Sequence, residues 1–204
     1  MSSFYPRAAH KSIVQYHRKQ RINWQELKRV IIFIDAANLE NSVKDLGWWI
    51  DYQKMLNFFQ NQTQLVGIYF YCPHFNTASQ DRFLTVLKKL SYQLRTKPLK
   101  IIQNLEAGHT RKANFDVEIS LDAVLLLNQY DTLILFSGDS DFKALLERLR
   151  TYHKQIIVIS SRGHISWELA RAADDYIPLD VIKEYIQREK IKSPRKNTGE
   201  VDNS

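Results

Sequence analysis

The run Val30-Ile31-Ile32-Phe33-Ile34 is wholly apolar, rich in β-branched side chains, and stops at Asp35. A stretch so short and without polar alternation reads as a strand covered on both faces, which is the situation of a parallel sheet between helices. Leu65 to Tyr71, Leu99 to Ile102, Thr132 to Phe136 and Gln155 to Ser160 follow the same grammar. Between them, helical spacing of apolar residues covers roughly 51–61, 78–95, 115–128, 141–152 and 166–173. The alternation predicts an α/β fold: a doubly wound, mostly parallel sheet with helices on both faces. Ligands of such sheets lie outside the carboxyl ends of the strands.

A chain of 204 residues is sufficient for one such core. We expect a basic arm over residues 1–28, with a short helix near Ser12 to Arg21, a domain over 29–190, and a disordered polar tail over 191–204. No apolar run approaches a membrane span and the first residues are polar, so the expected compartment is the cytoplasm, with no membrane contact. Cys72 is the single cysteine. Intrachain disulfides and cysteine-bound zinc are thereby excluded, and any metal must be held by oxygen or histidine.

The net charge of +7 is unevenly placed. Residues 1–29 carry seven Lys/Arg against Glu26 alone, and residues 82–112 eight against Glu106 alone. By contrast, residues 113–187 carry twelve acidic groups against seven basic ones. Basic segments beside an acidic half suit a protein that attracts a polyanion and keeps a carboxylate pocket, although solvated basic faces are also common.

Four aspartates fall at ends of elements. Asp35 ends the first strand, Asp139 and Asp141 follow Leu135-Phe136-Ser137-Gly138, and Asp116 opens a helix. A doubly wound sheet can gather such positions in one cleft, where unpaired carboxylates repel one another and are costly to desolvate. Mg²⁺ or Mn²⁺ resolves that cost, since both prefer oxygen ligands and can activate water against a phosphodiester. Each residue also has a plain structural role to weigh: Asp139 as a helix cap beside Gly138, Asp141 and Asp116 as first-turn acids, Asn38 as a cap. Asp35 is harder to explain so, because aspartate is a poor strand residue. Asp122 lies six residues past Asp116, about 120° around a helix, and is expected in a supporting or structural pairing. Ser137 can contact phosphate or hold the turn. His109, Arg111 and Lys112, in a loop, and Arg162 and His164, after a strand, can position substrate or merely be solvated. Trp48, Trp49 and Tyr52 can stack unpaired bases or form core. A haloacid-dehalogenase-like phosphatase is disfavoured because Ala36-Ala37 replaces the second aspartate of its Asp-x-Asp. Neither a Gly-rich dinucleotide loop nor a P-loop is present.

Phe33-Ile34-Asp35-Ala36-Ala37-Asn38, Phe115-Asp116-Val117 with Leu121-Asp122-Ala123, Tyr130-Asp131-Thr132 leading to Ser137-Gly138-Asp139-Ser140-Asp141-Phe142, and Ala172-Ala173-Asp174-Asp175-Tyr176-Ile177 occur in that order. Together they resemble the NYN family of PIN-like nucleases, in its bacterial LabA-like branch, over about residues 30–180. The resemblance implies a metal-dependent ribonuclease, usually an endonuclease. Asp35, Asp116 and Asp139 would be the metal positions, Asp141 a further catalytic position, and Asn38, Ser137 and Asp122 support. Lys112, Arg111 and Arg162 are the candidate substrate contacts. Lys112 stands four residues ahead of Asp116, where the family often has a lysine three ahead, and Ala113 occupies that place. The expected partner is RNA, single-stranded or structured, while a homodimer and a separate protein partner are both compatible. The alternative is a non-catalytic RNA- or protein-binding regulatory module of the same fold.

Overall fold

The computed structural model describes residues 22–98, 100–104, 108–112 and 114–189, with only the backbone described for 100–104 and 108–112. The expected helix at 12–21 and the tail beyond 190 lie outside the described residues. The strands are β1 (Val30–Asp35), β2 (Leu65–His74), β3 (Gln93–Pro98), β4 (Lys100–Asn104), β5 (Gly108–Lys112), β6 (Thr132–Phe136), β7 (Gln155–Ser160) and β8 (Asp175–Pro178). Six of them form one sheet in the order β3-β2-β1-β6-β7-β8, every pair parallel. The doubly wound sheet expected from the sequence is therefore the one observed.

Alternation along β1 divides the core. Val30, Ile32 and Ile34 face one side, packing with α1 (Ala36–Asp45), α2 (Tyr52–Gln62), α3 (Ala78–Lys89) and α7 (Lys183–Ile186). Ile31 and Phe33 face the other, packing with α4 (Asp116–Leu125), α5 (Lys143–Thr151) and α6 (Trp167–Ala172). Residues 30–34 are at most 1% exposed, which accounts for the absence of polar alternation in that run. Fully burying a Val, Leu or Ile side chain contributes roughly 1.5–3 kcal/mol, so this strand is a principal source of stability.

Three segments differ from the sequence expectation. Residues 36–45 form α1, which the apolar spacing did not reveal because only Ala36, Leu39 and Val43 supply its buried apolar face. The helix expected over 78–95 stops at Lys89, since Ser91 adopts φ 65°, and the chain re-enters the sheet as β3. That strand is only half covered, carries Arg95 and Lys97, and so has no apolar run to announce it. The strand expected over 99–102 is not part of the sheet. Residues 100–104 pair antiparallel with 108–112 in a separate hairpin, with Lys100 opposite Lys112.

Candidate active site

The chain leaves β1 toward β2 and later leaves β6 toward β7, so the sheet reverses its winding between the neighbours β1 and β6. A crevice opens at the carboxyl ends of strands at such a point. Asp35 closes β1 on one side of it, and Ser137-Gly138-Asp139 follows β6 on the other.

The loop geometry is set by short side chains. Asp35 caps α1, one carboxylate oxygen accepting from the Asn38 backbone N–H at 3.3 Å, while the Ser137 hydroxyl donates to the other at 3.2 Å. Asn38 Oδ1 accepts from the Gly138 N–H at 3.0 Å, so the first turn of α1 is tied to the loop after β6. Asp139 donates its N–H to Ser137 Oγ at 3.3 Å, and its carboxylate accepts from the Asp141 N–H at 3.0 Å. At the head of α4, Asn114 clasps Asp116: its Oδ1 accepts the Asp116 N–H at 2.9 Å, and its amide donates to the carboxylate.

Asp116, Asp139 and Asp141 each present an oxygen within 4.8 Å of the others. Asp35 is not in that triad, where the sequence had grouped Asp35 with Asp116 and Asp139 on the ion, and Asp141 is. Asp35 lies close enough for the charges of Asp116 and Asp139 to act on it. Burial above all lifts its pKa from 3.8 to about 6, against the opposing hydrogen bonds from Asn38 and Ser137. Three clustered carboxylates are hard, oxygen-only donors that match Mg²⁺ or Mn²⁺ and leave coordination positions for water or phosphate.

Gly138 owes its identity to a close approach. A Cβ there would sit 2.0 Å from the backbone oxygen of His164 and 2.8 Å from Ser160 Oγ, and the Ser166 N–H donates to the Gly138 carbonyl at 2.8 Å. The loop after β6 is thus seated directly on the turn after β7, a contact no sequence signal announced. Asn114 was also missed, although an Asn whose side chain accepts from the N–H two residues on is the recognisable pattern of an Asx-turn.

The remaining candidates are distributed elsewhere. Asp122 accepts from Tyr71 Oη at 2.9 Å and from Arg95 Nε at 2.8 Å, and Arg95 in turn lies over the Tyr69 ring. Burial and the Asp122 charge hold the Tyr71 phenol far above its ordinary pKa. Arg162 faces Asp180 at 3.7 Å, and His164 is held between Ser161 Oγ at 2.7 Å and Asp45 at 3.3 Å. His109, Arg111 and Lys112 lie on β5, whose side chains are outside the described residues. Trp48 is buried and Tyr52 belongs to an aromatic cluster with Phe70, Phe83 and Tyr92, whereas Trp49 is 63% exposed.

A parallel sheet between two helical layers, with carboxylates gathered where its winding reverses, defines a PIN-like α/β domain. The NYN domain family model matches residues 29–180, and the chain belongs to that family, within the PIN-like ribonuclease superfamily. It is 36% identical over 170 residues to the low amplitude and bright protein LabA of Synechococcus elongatus, covering 81% of this chain and 91% of that protein. Among solved structures it is similar to VPA0982 of Vibrio parahaemolyticus, a protein of unknown function, with a TM-score of 0.66 and 25% identity over 82% of this chain and 99% of that one. No helix among the described residues is long and apolar enough to cross a membrane.

Proposed function

We propose that this chain is a ribonuclease that hydrolyses RNA phosphodiester bonds with Mg²⁺ or Mn²⁺ held by Asp116, Asp139 and Asp141. The observation that carries the reading is the convergence of these three carboxylates within 4.8 Å at the point where the sheet reverses. When bound, the ion supplies Lewis acidity toward the phosphate and lowers the pKa of water.

The protein's own groups supply the rest. The Asn114 clasp and the Asp139 cap fix two of the three carboxylates, so their orientation is settled before substrate arrives. Asp35 borders them with a pKa near 6, ionised at neutral pH yet basic enough to accept a proton from the attacking water. Ser137 and the Asn38 N–H hold its two oxygens in place. As the water oxygen bonds to phosphorus its proton passes to Asp35, one P–O ester bond breaks, and the departing oxygen takes a proton from solvent water, Asp35 returning its own to solvent afterwards. The overall positive charge, concentrated in residues 1–29 and 82–112, draws the polyanionic substrate toward the domain.

The test is cleavage of labelled single-stranded RNA, structured RNA and single-stranded DNA with Mn²⁺, Mg²⁺ or EDTA, alongside Asp139→Asn. RNA cutting that requires the metal and drops by about 10²-fold or more in the variant is expected, the scale typical of losing a preorganised electrostatic group. RNA binding with no cutting under any metal would instead make the chain a regulatory module.

A further inference from the structure

A groove runs along α1, between the end of β2 and α3. Its inner part, about 490 Å³, begins at Ala36 and Ala37, the residues directly after Asp35, and is walled by Phe70, Phe75 and Phe83. Its outer part, about 480 Å³, is walled by Trp49, Val86, Leu90 and Arg188. Glu40 and Phe83 line both parts, so the two adjoin, the outer lying beyond the inner from the head of α1.

The lining is specific in three respects. Aromatic faces stand open at both ends: Phe75 is 49% exposed and Trp49 63%. The inner rim is rigid, because Gln80 accepts from the Phe75 N–H at 2.6 Å and donates to the Pro73 carbonyl at 2.6 Å. Two carboxylates line the groove: Asp51, in the outer part, is engaged by the Gln53 and Lys54 N–H groups at the start of α2, and between the aromatics stands Glu40, solvent-exposed at its edge yet desolvated enough by its neighbours for its pKa to be raised above the ordinary value. Among the described residues no ion pair involves Glu40.

A phosphate would be repelled from that position. A nucleobase would not, since its faces stack on aromatic rings and an exocyclic amino group can donate to the carboxylate. The volume also suits a base and part of its ribose, with the charged backbone left outside. Arg188, at the outer wall, offers a cation to that backbone.

The geometry points to a base-binding subsite for single-stranded RNA, in which Phe75 and Trp49 stack bases on either side of Glu40 and Glu40 selects amino-bearing bases over uracil. The inference rests on reading the neighbouring carboxylates as an RNA-hydrolysing site and specifies its substrate: an unpaired strand whose bases enter the groove while a phosphate meets the aspartates.

Binding separates the two readings. Full-length Asp139→Asn protein in EDTA, which would not cut, is titrated with labelled decamers of cytidylate and uridylate, and with cytidine 5′-monophosphate. We expect the cytidylate decamer to bind about tenfold more tightly than the uridylate decamer, the scale of one good base-edge contact. Glu40→Gln, added to Asp139→Asn, should bring that ratio near one, and Phe75→Ala should weaken both decamers by about tenfold, the scale of one lost stacking contact. Thermal melts of both variants check that they are folded. An unchanged cytidylate-to-uridylate ratio in folded Glu40→Gln, or unchanged affinity in folded Phe75→Ala, overturns the subsite. Monophosphate binding as tight as the decamer's also overturns it, in favour of a free-nucleotide pocket. If the base preference is found but wild-type protein cuts nothing with metal, the subsite stands and the hydrolytic reading fails.

Discussion

Asp35→Asn should make the protein more stable and inactive at once. In the folded protein the Asp35 pKa is raised from 3.8 to about 6, so the folded state holds the proton more tightly than the unfolded chain. Stability therefore falls as pH rises through the window from 3.8 to about 6, and the full penalty is present above it. A displacement of that size corresponds to about 3 kcal/mol at pH 8, and we discount it to roughly 1–3 kcal/mol for partial solvent screening and for the altered bond to Ser137. The cap is kept, because asparagine accepts from the backbone about as well as aspartate at a helix start. For a domain of this size the gain is about 2–12 °C in Tm. The assay is thermal unfolding of both proteins in EDTA from pH 4 to pH 8, with RNA cleavage measured in Mn²⁺. The advantage of the variant should be largest at pH 8 and shrink toward pH 4, where wild-type Asp35 is itself protonated. A variant less stable than wild type at pH 8, or a difference that does not vary with pH, would refute the argument that burial of a charge dominates at this position.

Two further outcomes follow from the geometry around the cluster. Asp122→Ala leaves the buried Tyr71 hydroxyl without its acceptor and Arg95 without its partner, a loss of about 1–3 kcal/mol; Tm should fall by several degrees while Mn²⁺ still stabilises the protein, and loss of the Mn²⁺ effect would instead make Asp122 a ligand. Gly138→Ala forces a methyl against the His164 carbonyl, at a cost of about 3 kcal/mol or more; a melting temperature equal to wild type would show that the two loops can separate freely.

The central strands were legible in the sequence because their environment is uniform. Thr132 to Phe136 and the run before Asp35 are buried on both faces, so hydrophobicity alone marks them. The edge strand β3 is half exposed and charged, and nothing in its composition separates it from the helix before it except the left-handed backbone at Ser91, which no residue type there announces. The same distinction holds at the site. Asp35, Asp116, Asp139 and Asp141 could be picked out because carboxylates at strand and helix ends are conspicuous. Which three share the shortest distances depends on how far each loop turns, and that is decided by Asn114, Asn38 and the contact of Gly138 with His164, all of them long-range or small polar contacts without a periodic signature. Asp122 matched the motif as well as the others did, but its offset of about 120° from Asp116 on the helix already pointed to a structural pairing, and its partners, Tyr71 and Arg95, are what only the structure supplies.

The pairing of Val30 with Thr132 joins residues about a hundred positions apart, and no local hairpin can stand in for it. During synthesis β1 emerges long before its neighbour β6 exists, and Asp35 then has neither Ser137 nor Asp139 beside it. The crevice can close only after most of the domain has left the ribosome. A chain built in this order carries Asp35 and Asp116 through translation as separate groups, and they join Asp139 and Asp141 only once β6 has emerged and paired with β1.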